Sequence, residues 1–409
     1  MIEQQDHGAG LNWPQSVICF GGEDWWYHNR GHCDMQMMRQ FGRHGRILYV
    51  NSIVMRKPNI GEGAMFVKRL LRKTRSIFRG YVKVSDDWAV YSPVTAPVHH
   101  LPGARMLNDR FLRLQVRVAA RRLGCRRPLI WVNCPAACDT AIALRRSGLV
   151  YQRTDRYEDH PGVDVERITY YDRRLRSNAD VTFYSNRQLY EEERANCRNA
   201  IYVPHGVDYD RFANAEKDST VPEAVKMLRR PIVGFFGAID EHKFNRELAV
   251  RIAELLPELT FVFVGGATAD CSALERMPNV HLLGQQPYDQ IPHFGKCFDV
   301  CIMPFNQNRW IEAFNPIKLK EYLALGKPIV TTPFGELDAF EGMVRIAEGP
   351  EAFAAAIREA LSDNAAEAVE ARRRHVEPHS WYAKAAEVLA ALQKGESNAT
   401  PAGAPLTAD

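Results

Sequence analysis

Short apolar runs alternate with helical patterns along almost all of the 409 residues, and these runs form two series. The first series occupies 16–20, 46–50, 128–133, 148–153, 181–185 and 200–204. The second series occupies 231–236, 259–265, 280–284, 299–305 and 327–332. Because β-branched and aromatic residues dominate the runs, we interpret them as strands, and their alternation with helices is typical of parallel sheets. The sequence therefore predicts an α/β chain with two doubly wound domains and a cleft between them.

The domain limits follow from the polar segment that separates the two series. We assign 1–207 to a first domain, 208–230 to a linker and 231–379 to a second domain. Residues 380–393 have the pattern of an amphipathic C-terminal helix. The tail 394–409 consists mainly of small and polar residues, and this composition predicts disorder.

Segments that would direct the chain out of the cytoplasm are not apparent in the sequence. No run of about 18 apolar residues occurs, so we expect no membrane-spanning helix. Residues 1–15 lack the basic and then apolar order of a signal peptide. Nine scattered cysteines argue against a disulfide framework, and Cys134 and Cys138 have no second pair nearby to complete a zinc site. We therefore expect a cytoplasmic protein.

Charge divides the chain into a basic half and an acidic half. Residues 1–200 hold 32 Lys and Arg against 20 Asp and Glu, whereas 201–409 hold 21 against 29. The basic excess is concentrated in 68–83 and 110–127, where cations are interleaved with apolar residues. Basic amphipathic helices favour an anionic membrane surface, and the alternative is a solvated face. Nucleic acid is a rival partner, but no nucleic-acid-binding motif accompanies the charge, so we expect none.

The stretch FNPIKLKEYLALGKPIV at 314–330 predicts a short helix followed by a buried strand. Asn315 is typical of an N-cap, Pro316 of the first helical position, and Gly326 of a helix end. Lys318 does not fit this pattern, because a cation in the first turn opposes the helix macrodipole. An anion bound in front of the helix would remove the conflict.

Lys318 and Glu321 are one turn apart and therefore share a helical face. A lysine at a helix N-terminus suits a diphosphate, and a carboxylate one turn later can accept both hydroxyls of a ribose. The alternative is a surface ion pair, worth about 0.2–0.5 kcal/mol. Neither a GxGxxG nor a Walker motif is present, so the usual dinucleotide and ATP fingerprints are absent from the sequence.

Four stretches together resemble the GT-B glycosyltransferases of the large group related to glycosyltransferase family 4. The order N-x-x-K-L-x-E-Y-L-A-x-G-K-P-x-V-x-T from Asn315 is similar to the nucleotide-binding helix and following strand of these enzymes. The other stretches are NVHLLGQQPYDQIPHFGKCFDVCIMPF at 279–305, GFFGAID at 234–240 and HGVDYDRF at 205–212. They occur in the family's order over most of residues 148–340.

The resemblance implies a GT-B fold of two Rossmann-like domains, the first binding the acceptor and the second the nucleotide sugar. It implies that Lys318 contacts the diphosphate and Glu321 the ribose. Gly237 would let the backbone approach the phosphates, since glycine lacks a Cβ atom. The other positions that we assign to the donor are Gln285 and Phe305, near the base and ribose, with Asn315 and His205.

One position departs from the family pattern. Many retaining members carry a glutamate eight residues before the ribose-binding glutamate, and this chain has Ala313 there. Glu312 is adjacent but out of register. The departure favours inversion over retention.

An inverting transfer needs a carboxylate that takes the proton of the acceptor hydroxyl. Asp155 follows the strand predicted at 148–153, at the end where α/β sheets place their ligands. The segment resembles the strand-end aspartate of the inverting glucuronosyltransferase of xanthan synthesis and its relatives. We predict Asp155 as the base, and the alternative is a loop cap or an ion pair with Arg153 or Arg156. Glu158 and Asp159 are second choices.

Asp208 and Asp210 formally match the D-x-D motif of metal-dependent glycosyltransferases. They lie in the predicted linker, where we favour a turn or cap role over metal ligation. Because Lys318 and a helix dipole can neutralise the leaving diphosphate, we expect no metal and no cofactor. His205 either contacts the donor or is an ordinary loop histidine.

The loop GGEDWWYHNRGH at 21–32 follows the first strand, on the side expected for the acceptor. Trp25 would stack on a sugar ring, and Arg30 and His32 would meet an acceptor phosphate. The alternative is that these residues pack under the next helix.

These observations together predict a glycosyltransferase of hexosyltransferase type. It would move a sugar from a nucleotide sugar, expected to be a UDP-sugar, to a lipid-linked saccharide in polysaccharide biosynthesis, with inversion. It would act as a peripheral protein at the inner face of the cytoplasmic membrane, bound through the basic helices of the first domain. The rival hypotheses are a GT-B-shaped nucleotide-sugar epimerase, which needs no membrane acceptor, and a non-catalytic membrane scaffold.

Overall fold

A computed structural model describes residues 11–27, 31–53, 64–95, 102–159, 162–312 and 315–398. The chain divides into two compact units: unit 1 combines residues 1–204 with 384–409, and unit 2 spans 205–383. Each unit is built on a sheet flanked by helices. The predicted α/β class with doubly wound domains is therefore confirmed.

Unit 1 contains eight described strands and the six helices α1 to α6. The strands are β1 (Ser16–Phe20), β2 (Arg46–Val50), β3 (Tyr81–Lys83), β4 (Trp88–Tyr91), β5 (Leu129–Val132), β6 (Gly148–Arg153), β7 (Val181–Tyr184) and β8 (Ala200–Tyr202). The helices are α1 (Cys33–Phe41), α2 (Ala64–Arg79), α3 (Pro102–Leu123), α4 (Cys138–Ala143), α5 (Val165–Asn178) and α6 (Arg187–Glu193).

The strands of unit 1 lie in the order β3-β4-β2-β1-β5-β6-β7-β8. All neighbours are parallel except β3 and β4, which are antiparallel. The central strands β1, β5 and β6 are buried along their whole length. A parallel sheet covered on both faces requires continuous apolar strands, which is why these runs were recognisable in the sequence.

Two glycines set the ends of the basic helices of unit 1. The first basic stretch leaves the helix at Arg79, because Gly80 adopts a φ of +56°, and the chain then forms β3. Helix α3 begins at Pro102 and ends at Leu123, where Gly124 has a φ of +79°. The short edge strand β3 and its neighbour β4 were not predicted.

Unit 2 contains six described strands in one fully parallel sheet. The strands are β9 (Ile232–Phe236), β10 (Thr260–Val264), β11 (Val280–Leu282), β12 (Val300–Met303), β13 (Ile329–Thr331) and β14 (Arg345–Ile346), in the order β11-β10-β9-β12-β13-β14. The helices are α7 (Tyr209–Ala213), α8 (Glu223–Lys226), α9 (Arg246–Leu255), α10 (Ser272–Glu275), α11 (Ile291–Lys296), α12 (Arg309–Glu312), α13 (Ile317–Ala324), α14 (Pro350–Ala360) and α15 (Ala366–Val376).

The segment 208–230, interpreted as a linker from its polarity, is part of unit 2. It forms α7 and α8, and Phe212 of α7 is fully buried. Helix α7 packs against α13, so this polar segment contributes one apolar residue, Phe212, to the core. This burial ties the segment to the unit.

The last helix, α16, spans Trp381–Asn398 and extends beyond the predicted end at residue 393. Its residues from Lys384 onward belong to unit 1, where Leu392 packs next to Gly148. The Gln393 side chain also donates to the backbone oxygen of Asn12, at 2.8 Å. Residues 399–409 of the predicted tail lie outside the described residues.

Candidate functional site

The helix that carries Lys318 ends as its sequence indicates. Gly326 has a φ of +75°, and its N–H donates to the carbonyl of Leu323 at 2.9 Å. The N–H of Lys327 donates to the carbonyl of Tyr322 at 3.0 Å. These two bonds form a Schellman motif, which requires a left-handed residue that glycine adopts without strain. The prediction that Gly326 ends the helix is confirmed.

The start of this helix differs from the prediction by one residue. Pro316 occupies the N-cap position, and no side chain of the described residues caps the helix there. The Asn315 amide donates to Glu336 and its oxygen accepts a bond of 3.0 Å from the Lys320 ammonium. The capping role assigned to Asn315 is therefore wrong, because two neighbouring charged groups engage its side chain.

Lys318 lies half-buried against the end of β9. Its Nζ atom is 5.7 Å from the centre of the Phe235 ring, and its side chain passes directly beside Gly237. Within the described part of the chain, the Lys318 ammonium makes no hydrogen bond or ion pair. Burial, and then the charge of Lys243, lower its pKa to about 8. An incompletely compensated cation of this kind favours an anionic ligand.

Glu321 lies one turn after Lys318 and is almost fully buried. Its Oε1 atom accepts a hydrogen bond of 3.1 Å from the Tyr288 hydroxyl. Burial raises the pKa of Glu321 to about 7, with a further contribution from Asp208, although Lys318 and Tyr288 oppose the rise. Near neutral pH the group is therefore divided between its neutral and ionised forms, and Tyr288 bonds the ionised form.

Glycines after β9 and β10 bring two loop backbones unusually close together. Gly237 has a φ of +146°, and a Cβ at this position would lie 1.9 Å from Cε of Lys318. Gly265 has a φ of +156°, and its Cβ would lie 1.9 Å from the carbonyl oxygen of Gly237. Any larger residue would push the loops away from Lys318. The predicted role of Gly237, to allow close backbone approach, has this geometric support.

The other predicted donor residues lie around the same unit 2 sheet. Gln285 is exposed after the end of β11 and lies beside Gly266. Phe305 follows β12, but its ring is 2% exposed and packs edge-on against Phe334. Phe305 therefore belongs to the core, and its backbone N–H and carbonyl oxygen both bond the Thr332 hydroxyl, each at 3.0 Å. His205 is half-buried, and its ring lies 6.2 Å from that of Trp381.

A second polar cluster lies at the carboxyl ends of β1, β5 and β6 in unit 1. Asp34 is fully buried and accepts a hydrogen bond of 2.8 Å from the Gly22 N–H and one of 3.0 Å from the Tyr49 hydroxyl. His32 Nδ1 lies 2.7 Å from the same carboxylate. A Cβ at Gly22 would meet both the Asn133 amide and the His32 ring, so these side chains converge there.

The His32–Asp34 pair is strongly polarised. Burial alone would raise the pKa of Asp34, but the partner His32 and the Gly22 N–H lower it to about 2. Burial alone would lower the pKa of His32, but Cys33 and Asp34 hold it well above its usual value. The pair therefore favours the protonated form of the imidazole, which is about a quarter exposed. This supports the predicted role of His32 toward an acceptor anion.

Asp155 is exposed just beyond β6, next to the polar cluster. Thr154, the residue before it, bonds the Tyr157 hydroxyl at 2.7 Å, and that hydroxyl donates to Asn133 at 2.7 Å. The pKa of Cys33 is raised mainly by burial and also by Asp155, so the Asp155 carboxylate is within electrostatic reach of the segment that carries His32. The structure thus brings Asp155 and the His32 segment together in unit 1.

The ion-pair alternative for Asp155 is not realised, because both candidate arginines have other partners. Arg153 is fully buried and pairs with Glu158 at 2.9 Å, Asp172 at 3.2 Å and Glu193 at 3.1 Å. Arg156 pairs with Glu192. Within the described residues, the Asp155 carboxylate makes no hydrogen bond or ion pair. The second choice Glu158 is likewise occupied as a partner of Arg153, and Asp159 is exposed.

The acceptor loop is only partly as expected. Trp25 is 5% exposed and packs between Tyr49 and Trp88. Its backbone N–H donates to the side-chain oxygen of Asn51 at 2.9 Å. The stacking role predicted for Trp25 is therefore wrong, because the ring lies in the core, and the packing alternative holds. Arg30 lies outside the described residues, as does Ala313.

Asp208 is the N-cap residue of α7, and its Oδ2 atom accepts a bond of 2.7 Å from Arg211. Asp210 lies within the first turn of the same helix. In the described ranges, no group of three or more His, Cys, Asp or Glu residues has a metal-binding arrangement. The same ranges contain no helix that is both long and apolar enough to cross a membrane.

Three positioning residues were missed by the sequence analysis. Lys243 acts on the pKa of Lys318, Tyr288 bonds Glu321, and Asp34 fixes His32. Lys243 lies three residues after Asp240, and its backbone N–H donates to the Asp240 Oδ1 atom at 2.9 Å. This bond is typical of an Asx turn, which the Asp-Glu-His-Lys sequence could have indicated. The local sequence does not mark Tyr288, because its bond to Glu321 joins residues that are 33 positions apart. Asp34 lies only two residues after His32, so their spacing could have indicated the pair.

Comparison with known proteins gives one family match and one curated relative. Residues 230–363 match the family described as "Glycosyl transferases group 1". The putative teichuronic acid biosynthesis glycosyltransferase TuaH of Bacillus subtilis (strain 168) is 29% identical over 201 residues. That match covers 47% of this chain and spans half the length of the relative.

Solved structures resemble the chain over nearly its whole length at low sequence identity. Sucrose-phosphate synthase from Thermosynechococcus elongatus has a TM-score of 0.66 at 16% identity, covering 94% of this chain and 100% of the other. Anabaena Alr3699/HepE in complex with UDP has a TM-score of 0.57 at 16% identity, covering 93% and 99%. HepE is also known in complex with UDP-glucose. These likenesses establish the GT-B fold.

Proposed function

We propose that this chain, in which residues 230–363 form a group 1 glycosyltransferase domain within a GT-B fold, transfers a sugar from a UDP-sugar to a lipid-linked saccharide during polysaccharide assembly. The main support for donor binding is the half-buried Lys318, which lies beside Gly237 and is followed one turn later by Glu321. The similarity to a protein named for teichuronic acid biosynthesis supports the polysaccharide context. The HepE complexes support UDP as the nucleotide.

In the proposed donor complex, unit 2 binds the nucleotide sugar at the carboxyl edge of its sheet. Lys318 and Lys243 meet the diphosphate, and the two glycine loops let its oxygens approach the backbone. Glu321, held by Tyr288, accepts hydrogen bonds from the ribose hydroxyls. The two ammonium groups offset the charge that develops on the leaving UDP, so the reaction is proposed to need no metal and no other cofactor.

In the proposed reaction, Asp155 of unit 1 acts as the general base. The acceptor hydroxyl oxygen attacks the anomeric carbon, the bond from that carbon to the diphosphate breaks, and UDP leaves. The hydroxyl proton moves to the Asp155 carboxylate as the new bond forms. Attack opposite the leaving group inverts the anomeric centre. The charged His32, fixed by Asp34, meets an anionic group of the acceptor.

The proposed acceptor is a saccharide on a lipid carrier at the inner face of the cytoplasmic membrane. The support is the charge of the chain, since residues 1–200 carry an excess of 12 positive charges and 201–409 an excess of 8 negative charges. A basic first unit is attracted to an anionic leaflet, where the lipid-linked substrate resides. A peripheral cytoplasmic enzyme follows from this proposal.

Donor binding and reaction type are tested by two measurements. Calorimetric titration with UDP should give saturable binding to the wild type and none to Lys318→Met, with Lys217→Met as a control that retains binding. Lys217 is an exposed lysine of the same unit. Equal UDP binding by both variants would overturn the proposal at its centre.

The reaction itself is tested by incubation with a UDP-sugar, with and without a lipid-linked saccharide extract. We expect UDP release that depends on the acceptor, and an anomeric configuration opposite to that of the donor. An isomerised UDP-sugar formed without acceptor would instead establish an epimerase. Retention in the product would overturn the inverting role of Asp155.

A further inference from the structure

Helix α3 of unit 1 is apolar on two opposite sides. Its inner side packs into the unit 1 core. The inner residues are Leu112, Val116, Ala119, Ala120 and Leu123. Its outer side exposes Leu107, Phe111, Leu114 and Val118, each more than half accessible to solvent. An ordinary surface helix has a single apolar side, which faces the core, so the outer residues have no explanation in the fold.

The outer residues form a continuous stripe. Their spacing of four, three and four residues keeps Leu107, Phe111, Leu114 and Val118 on one line along about three turns of helix. Met106 is also exposed beside the first of them. A stripe of large exposed side chains marks a surface that meets an apolar partner.

Exposed apolar residues are concentrated in this part of the chain. Of the fifteen large exposed apolar side chains in the described residues, ten fall between positions 70 and 118. They include Leu70, Leu71 and Phe78 of α2, and Phe78 is 86% exposed. This concentration is too local to be the scattered surface exposure that is normal for soluble proteins.

The charges around the stripe are almost all of one sign. Arg110, Arg117 and Arg121 are exposed on α3 next to the apolar line. Helix α3 contains six arginines and a single acidic residue, Asp109. Arginine stems can lie along an apolar surface while their guanidinium groups reach lipid phosphates. The surface is thus complementary to an anionic layer that has an apolar interior.

We propose that the outer side of α3 inserts into the headgroup region of an anionic lipid bilayer, with its apolar stripe below the headgroups and its arginines at the phosphates. This rests on the proposed function for its biological setting, a lipid-linked acceptor. A second copy of the chain fits the same side poorly, because a two-fold contact would oppose two clusters of arginines. Nucleic acid would leave the apolar stripe uncovered.

Insertion is tested by co-sedimentation of the full chain with lipid vesicles. Wild type should bind vesicles of equal parts phosphatidylglycerol and phosphatidylcholine, and should bind pure phosphatidylcholine much less. The double variant Phe111→Ser with Leu114→Ser should lose binding to the anionic vesicles by roughly tenfold or more. The matched control is Val165→Ser with Met227→Ser, two exposed apolar residues elsewhere, which should bind as wild type.

The charge component is tested separately with Arg117→Gln combined with Arg121→Gln. At about 1 kcal/mol for each cation, binding to anionic vesicles should fall by roughly 30-fold. Raising the salt to about 1 M should reduce the wild-type binding, since the phosphate contacts are screened. Wild-type binding that is equal for neutral and anionic vesicles, or insensitive to both double variants, would overturn the proposal.

Two readouts keep this result distinct from the proposed enzymatic function. The thermal shift produced by UDP should be the same in the stripe variants as in wild type, because the donor residues lie in unit 2, and an equal shift also shows that unit 2 remains folded. Near-ultraviolet circular dichroism checks the fold of unit 1. Vesicle binding without a UDP shift would refute glycosyl transfer but not insertion. A dimer that the stripe variants dissociate in size-exclusion chromatography would refute insertion in favour of a second copy.

Discussion

Replacement of Lys318 with methionine should stabilise the ligand-free protein and abolish its UDP binding. Methionine has a similar length and no charge, so it fills the same space beside Gly237 and the Phe235 ring. If Lys318 were a structural ion pair with Glu321, the same change would destabilise the protein. The sign of the stability change therefore separates the ligand-binding interpretation from the structural one.

The magnitude follows from the pKa of Lys318, which burial and Lys243 lower from 10.5 to about 8. At about 1.4 kcal/mol for each pKa unit, the folded state loses roughly 3 kcal/mol by keeping this ammonium charged at pH 7. Solvent that reaches the half-buried side chain reduces this, and about 1–3 kcal/mol remains. Loss of the attraction to Glu321 costs little, because that carboxyl group, with a pKa of about 7, can take up a proton.

The pH dependence gives an independent check on the sign. Below pH 8 the lysine is charged in both folded and unfolded chains, so the full penalty is present. As the pH rises from 8 toward 10.5, the folded chain loses this proton first and the wild-type penalty shrinks. The advantage of Lys318→Met should therefore be largest near neutral pH and should disappear near pH 10.5.

The assay is thermal unfolding with and without UDP, with Lys217→Met as the matched control. For a unit of this size, 1–3 kcal/mol corresponds to a rise in the unfolding temperature of roughly 2–10 °C. Saturating UDP should raise the midpoint of the wild type and of the control, but not that of Lys318→Met. A lower midpoint for ligand-free Lys318→Met, together with a preserved UDP shift, would refute the reasoning.

Three further predictions concern single side chains. Asp155→Asn should reduce turnover at least about 100-fold while the UDP-induced thermal shift persists, because only the proton acceptor is lost; Asp159→Asn is the control, and equal rates for both variants would contradict the assignment. Tyr288→Phe should raise the pKa of Glu321 above about 7, since a hydrogen bond to the carboxylate is lost. As the pH is lowered, calorimetric UDP binding should therefore weaken at a higher pH than in wild type, and an unchanged pH profile would argue against this contact. Gly237→Ala should weaken UDP binding and lower the unfolding temperature, because its methyl group would lie 1.9 Å from a lysine carbon; wild-type behaviour in both assays would remove the requirement for glycine.

The parts of the fold that were predictable are those with a local signal. The buried strands β1, β5, β6, β9 and β10 consist mainly of apolar residues, because a parallel sheet covered on both sides disfavours polar ones that lack a partner. The short strands β3 and β14 at the sheet edges, and β4 next to β3, lack this requirement and were missed. The segment 208–230 was misassigned because its polarity conceals Phe212, whose burial depends on contacts far away in the sequence.

The candidate donor site was predictable only in part, for a related reason. Lys318 was noticeable because it breaks a local charge rule at a helix start, and Gly237 because it follows a strand. Asn315 was misjudged, since its capping preference is outweighed by Glu336 and Lys320, which approach it in the folded chain. Trp25 of the acceptor loop was misjudged because an aromatic residue in a loop gives no sign of whether it packs inward. The position of Phe305 near the base and ribose stays a prediction, although its ring is buried.

Charged side chains at the carboxyl ends of the sheets are of two kinds, those with oppositely charged partners and those without. Arg153, at the end of β6, is fully buried and surrounded by three carboxylates, which is the arrangement that a buried structural charge requires. Asp155, two residues later, makes no hydrogen bond or ion pair through its carboxylate within the described residues, although basic side chains are abundant in unit 1. Lys318 in unit 2 is half-buried with similarly incomplete compensation. Folding alone would favour pairing or removing the half-buried charge of Lys318, and this supports the proposal that an anionic substrate supplies its missing partner. The exposed Asp155 carboxylate is solvated instead and is available to accept a proton in the proposed reaction.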